Sequence, residues 1–331
     1  MKIFSFPFSP YISYDDYKSN YLPFVLQNKE YINDIYATIR IPPFETDAMG
    51  GTFNNEDLIY KALEVQKNTS IPISATFNNT KVLPTIENLK RFIYHFTPLY
   101  NAGIRNITMP LFHWMMTKEI QKAFPELVIK NTIISEVNNS KSFWDMAKVG
   151  YDVVNIDRNL LRDFNTLKEI KKAQTTFFKQ FKKYVKIQIL VNEQCTGHCP
   201  VRNEHYAINF AGGHYFGDDI SKYSCPAWEK EDQHYDFRRA VSSPFKEDID
   251  ELLKYVDIFK MFGRDGKTML KASMLYIDDF VSNKKIVTSF ANARFIKEED
   301  YSKYDKWRKI IKTCKFQCWD CQVCDNLERL V

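Results

Sequence analysis

Lys2-Ile3-Phe4-Ser5-Phe6-Pro7-Phe8-Ser9-Pro10-Tyr11 decides between two α/β architectures. Its first half is an apolar β-type run. Directly after such a run, a doubly wound open sheet would carry a glycine-rich phosphate turn. Here that place reads Ser9-Pro10-Tyr11, and the whole chain has only 10 glycines. No dinucleotide fingerprint or phosphate loop is visible, which leaves a closed barrel as the favoured reading. Further along, β-rich runs recur at 35–41, 71–77, 107–111, 127–134, 152–157, 185–192 and 257–262. Helical patterns at 15–29, 56–67, 85–101, 115–124, 142–149, 163–182, 247–255 and 268–281 separate and succeed them. Glu56-Asp57 and Asp163 place acids at helix starts, where exposed amide groups favour negative charge. Eight strand–helix units in succession predict an α/β fold, a (β/α)8 TIM-type barrel.

The barrel is expected over residues 1–283, with a cysteine-rich C-terminal extension, 284–331, packed on its mouth. Two long inserts interrupt the alternation, at 42–55 after the second strand and at 195–245 after the seventh. Long connections in a compact domain usually serve a function. A short β-like run at 285–290 leads into the extension.

Composition bounds the rest. Of the 331 residues 44% are apolar, enough for a full core, and the net charge of +5 permits an anionic partner without demanding one. The start, Met1-Lys2-Ile3-Phe4-Ser5-Phe6-Pro7, lacks the long apolar stretch of a secretory signal, and no run approaches a membrane span. A cytoplasmic location with no membrane partner is the expectation, and there thiols stay reduced.

All seven cysteines lie from residue 195 onward. Cys195 and Cys199 frame Thr196-Gly197-His198 directly after the seventh strand, and Cys225 lies further along the insert. Cys314, Cys318, Cys321 and Cys324 close the chain, spaced four, three and three apart. Such close packing of soft thiolates is what an iron–sulfur cluster or a metal ion requires. Seven thiolates divide as four and three, so one or two 4Fe-4S clusters fit, with zinc as the alternative. Cys195, Cys199 and Cys225 make an incomplete set that the tail could complete by folding back over the barrel mouth. The tail's four cysteines could equally hold a site of their own.

In a barrel of this type the chemistry sits at the carboxyl ends of the strands. Polar residues there are Arg40, Asn78, Glu136, Asp157, Arg158, Asn192, Glu193, Lys260 and Arg264. Arginine forks suit a carboxylate or phosphate, so Arg158 and Arg264, with Arg40, Asn192 and Lys260, are the substrate-binding candidates. Glu193, beside the thiols, is the candidate proton-transfer group, joined as catalytic candidates by Asp157 and by His205, six residues past Cys199. Charged barrel-top residues can also merely pair and hold loops.

Three stretches resemble the collagenase-like peptidase family, peptidase family U-32. They are Val153-Val154-Asn155-Ile156-Asp157-Arg158-Asn159, then Ile189-Leu190-Val191-Asn192-Glu193-Gln194-Cys195 with Cys199-Pro200, and Val256-Asp257-Ile258-Phe259-Lys260-Met261-Phe262-Gly263-Arg264. Together they fall within about residues 70–280. The resemblance implies a barrel core and, in the iron–sulfur branch, a four-iron cluster on four cysteines. It also implies oxygen-independent hydroxylation, or a related modification, of an RNA base or a small molecule, with a redox partner possible. This chain departs from the pattern in its terminal cysteine group and its insert after Cys199, which leaves the substrate open. Rival readings are a radical S-adenosylmethionine-type enzyme, a peptidase, and a non-catalytic zinc-stabilised binding protein. The first matches Cys314, Cys318 and Cys321 by spacing but places its motif after the first strand. For the second, no nucleophile elbow or His-Glu-x-x-His zinc motif is present.

Overall fold

The computed structural model describes residues 2–46, 52–193, 195, 197–210, 242–264, 267–287 and 302–324. Eight parallel strands close into a barrel in sequence order, β1 (Phe4–Phe8), β2 (Ile32–Ala37), β3 (Ile73–Thr76), β4 (Asn106–Thr108), β5 (Val128–Lys130), β6 (Val153–Ile156), β7 (Lys186–Leu190) and β8 (Ile258–Lys260). β8 pairs with β1 through Phe4↔Phe259 and Ser5↔Lys260, which closes the cylinder. The (β/α)8 expectation therefore holds.

Period-two alternation puts successive residues of each strand on opposite faces of the barrel wall. Residues paired across parallel strands share a face, so the registers sort each strand into two sets. Phe4, Phe6, Ile35, Ile73, Ala75, Ile107, Ile129, Val154, Ile187 and Phe259 form one set, all buried against the surrounding helices. Ser5, Asp34, Ser74, Thr76, Thr108, Lys130, Asn155, Gln188 and Lys260 belong to the other. That second set lines the lumen: Lys130 on β5 meets Asp34 on β2 at 2.6 Å, and strands that far apart touch only through the interior. This barrel is apolar outside, where helices cover it, and polar within.

The helices obey ordinary end rules. Asn54, Thr85, Asn139 and Asp163 each accept a backbone amide hydrogen bond at the start of a helix (Asn55–Thr69, Ile86–Asn101, Ser140–Val149 and Phe164–Phe181). One expected helix, 115–124, is instead two, Phe112–Thr117 and Glu119–Ala123, because Lys118 adopts a left-handed conformation with φ of 62°. Of the β-like run at 285–290, residues 288–290 lie outside the described residues, and Ile286 forms a bridge with Phe245.

The described part of the C-terminal extension, 302–324, docks on the segment after β6, the loop after β7 and the helix Lys246–Leu252. Thr313 bridges Asp163, and the Phe164 amide donates to the Lys312 carbonyl at 2.9 Å. Phe245, Tyr304, Trp307 and Ile311 form a small buried cluster of their own. Arg308 pairs with Asp248 at 2.9 Å and Glu247 at 2.8 Å, and Lys312 with Asp248 at 2.8 Å and Glu251 at 2.6 Å. No helix among the described residues is long and apolar enough to cross a membrane.

Candidate functional site

The lumen's polar side chains continue upward into a cationic mouth. Lys260, last residue of β8, is buried and holds its ammonium 4.6 Å from the centre of the Tyr36 ring; Arg264 lies 5.4 Å from the same ring and bonds Thr38. Burial pushes the Lys260 ammonium down to about 7, and Arg264, Lys130 and Arg158 push the same way against the single opposing charge of Asp34. Tyr36 is itself fixed by a bond from its hydroxyl to the Met261 carbonyl.

After β6 the chain turns through a short 3-10 segment, Arg158–Arg162, capped by Asp157, whose carboxylate accepts the Asn159 amide at 2.8 Å. Arg158 is buried and pairs with Glu193, while also donating to the Tyr206 hydroxyl. Burial works against its charge, but Tyr206, Cys195 and Asp157 hold it firmly protonated. Cys195 is thus placed beside Arg158 and Glu193. Arg202, opening the helix Arg202–Phe210, ties down the remaining acids, Glu136 at 3.0 Å and Asp157 at 3.2 Å. His205 stands on that helix next to Tyr206.

The other candidates fall elsewhere. Arg40 stacks on Phe53, 4.2 Å from its ring centre. Asn192 donates to Ser273 at 2.8 Å and accepts the Phe262 amide at 2.6 Å, so its amide group ties β7's end to the segment after β8. Cys225 lies outside the described residues.

The four tail cysteines do converge on one feature. Cys314, Cys318, Cys321 and Cys324 line a single pocket. Arg162, Trp307 and Phe316 are among its other walls. Burial raises the Cys324 thiol, and Cys314 and Cys318 add to that, while Arg162 and a bond from Trp307 pull it back. No disulfide joins any of the six described cysteines. Among the described residues no three His, Cys, Asp or Glu side chains are gathered closely enough to hold a metal ion as they stand. The four thiols share the lining of one pocket, with no three of them at the spacing of a single metal ion. A four-iron cube, with its thiolates at the corners, asks for a wider ring than one metal ion does. The donor set fits a cluster in kind, and the pocket's buried arginine favours an anionic content.

The two cysteine groups touch through Phe316, which sits between Cys314 and Cys318 in the chain. Its ring meets His198 edge-on, with centroids 5.1 Å apart. It also lies so close over Gly197 that a Cβ there would collide with its ring. Only glycine permits that approach. His198 is further anchored by its amide, which donates to Asn159 at 3.1 Å. Trp307 is fully buried, whereas Trp319 is 79% exposed, so only the first of the tail's two tryptophans packs.

Arg162, Arg202, Tyr206 and Phe316 were not singled out from the sequence. Arg162 comes four residues after Arg158, and that repeat directly after a strand end was the available signal. Tyr206 and Phe316 carried none, since nothing in their neighbourhoods marks the long-range partner.

The fold has solved counterparts. A U32 peptidase, Mk0906, matches with a TM-score of 0.50 and 11% identity, over 67% of this chain and 84% of that one. AsfvAP:AG matches with a TM-score of 0.45 and 11% identity, over 86% of this chain and 98% of that one, too loose a likeness to argue from. No family model and no curated protein matches the sequence. At such identity the likeness is one of fold: this is a barrel protein with a U32-like fold.

Proposed function

We propose that the protein carries a 4Fe-4S cluster and modifies an anionic substrate, an RNA base or a small molecule, at its barrel mouth. Oxygen-independent hydroxylation is the reaction class that the family resemblance favours. The observation that carries this reading is that all four tail cysteines line one pocket, joined through Phe316 to the loop that bears Cys195 and Cys199. Cys314, Cys318, Cys321 and Cys324 would hold the cluster, one thiolate to each iron, and it would supply one-electron chemistry there. Lys260 and Arg264, side by side over Tyr36, present positive charge to a substrate anion. Glu193, paired with Arg158, which also neighbours Cys195, is the candidate for proton transfer.

Anaerobic purification of the full chain tests this. A brown protein with about four iron and four sulfide is expected for one cubane, about twice that for two. Serine at Cys318 or Cys324 should abolish a cluster's absorbance. A colourless chain holding stoichiometric zinc would sink the reading and favour a zinc-stabilised binding protein.

A further inference from the structure

We infer that Arg162 is the counter-cation of the four-thiol pocket, offsetting the negative charge that the tail thiolates gather there and favouring the more reduced state of the cluster they hold. The inference deepens the cluster reading and rests on it.

Arg162 is 1% exposed, and its Nε and Nη2 have no hydrogen-bond partner among the described residues. No carboxylate among those residues pairs with it. Its neighbours in burial are differently served: Arg158 has Glu193 and Tyr206, and the tail's own Arg308 and Lys312 have Asp248. Instead the guanidinium lies between two rings, 5.5 Å from the centre of Phe316 and 5.9 Å from that of Trp307. Aromatic faces attract a cation, but they do not accept its in-plane N–H groups as an oxygen or sulfur would. A buried guanidinium without an anion is strongly unfavourable, and such a residue persists where an anion completes it. Arg162 lines the pocket of Cys314, Cys318, Cys321 and Cys324, so the thiolates are the anions within its reach.

The consequence for a cluster is directional. A cubane on four thiolates is a net dianion, and one added electron makes it a trianion without breaking a bond. A fixed cation beside it stabilises the trianion more. Hydrogen bonds and charge near the sulfurs are established levers on such potentials. Arg162 acts through the cluster's ligands, as a positioning and charge-compensating residue.

The test compares full-length wild type, Arg162→Lys and Arg162→Met, purified anaerobically. Iron and sulfide are measured, and the cluster is titrated with dithionite as electron donor under electron paramagnetic resonance. At a fixed potential the reduced-to-oxidised ratio should fall about tenfold in Arg162→Met, equivalent to about 59 mV for one electron. Arg162→Lys should stay near wild type. An Arg162→Met protein with full cluster and unchanged potential overturns the inference and leaves the cluster reading standing. If wild type takes up no iron and sulfide, the cluster reading falls. The metal-stripped chains are then titrated with Co2+, and equal affinity in wild type and Arg162→Met overturns the role of Arg162, whereas a tenfold loss upholds it as counter-cation of the thiolates. Should Arg162→Met fail to fold, Arg162→Gln replaces it, retaining N–H donors without charge.

Discussion

Lys260 keeps its ammonium among like charges, and that has a sign. Its folded value, about 7, lies below the ordinary 10.5, so between those limits the unfolded chain binds the extra proton and stability rises with pH. Below about 7 the full penalty of the buried charge is present. Lys260→Met should therefore melt above wild type at pH 6, with the advantage fading towards pH 10. Inorganic phosphate, a minimal anion, should protect wild type from heat more at pH 6 than at pH 9, and Lys260→Met at neither. Thermal melts across that range check both, and a pH-independent gap would refute the assignment. The residue-scale content of the mouth was partly readable in advance. A lysine or arginine at or just past a strand end is visible from alternation alone, as with Lys260, Arg158 and Arg264. Whether its neighbours are acids or bases is not, because Asp34, Lys130 and Tyr36 reach Lys260 across the lumen from other strands. Asn192 shows the same gap from the other side: its position is that of a binding residue, yet its amide serves the backbone of Phe262 and the hydroxyl of Ser273.

At the scale of elements, the tail helix Asp305–Ile311 and Lys312 after it pair with Glu247, Asp248 and Glu251 of the helix Lys246–Leu252, and of these acids Asp248 is the buried one. Asp248 is buried and receives Arg308, Lys312 and the Ser243 hydroxyl at 2.7 Å. Burial would raise its carboxyl, yet Arg308, Lys312 and Ser243 outweigh that and keep it below 3.8. A depressed value stabilises the fold above the unfolded carboxyl's range, and the gain is lost as pH falls through the folded value. Asp248→Asn should cost about 3 kcal/mol at neutral pH, the typical effect of stripping one partner from a buried pair. Its deficit relative to wild type should shrink as the pH falls below about 4. Denaturant titration measures the cost, and proteolysis near residue 308 should quicken as the tail loosens. An undiminished midpoint would show that the apolar contacts of Tyr304 and Trp307 hold the tail unaided. The strands themselves were readable because each buries one face under helices, so Ile, Val and Phe recur at alternate positions. The split at Lys118 was not: a single left-handed residue interrupts an otherwise continuous amphipathic pattern.

For the whole molecule, the question is whether tail and barrel form one stability unit. Phe316 packs on Gly197, Thr313 bridges Asp163, and Arg308 and Lys312 reach Asp248, so the tail contacts the segment after β6, the loop after β7 and the helix before β8 together. None of these contacts has a local sequence signal. The cysteine spacing suggested a metal-type site, but where those cysteines sit in the fold depends on aromatic and ionic contacts between residues far apart in the chain. A chain ending at Ile311 removes all four tail thiols while leaving Trp307 and Arg308 docked. It should lose the cluster's visible absorbance, retain the barrel's far-ultraviolet circular dichroism, and melt earlier by a margin that largely disappears when full-length protein is stripped of metal. Bound metal stabilises only the state that holds it, so the two losses must coincide if the tail is the ligand donor. A shortened chain that keeps a full four-iron spectrum would move the cluster to Cys195, Cys199 and Cys225, and would reduce the tail to a strut.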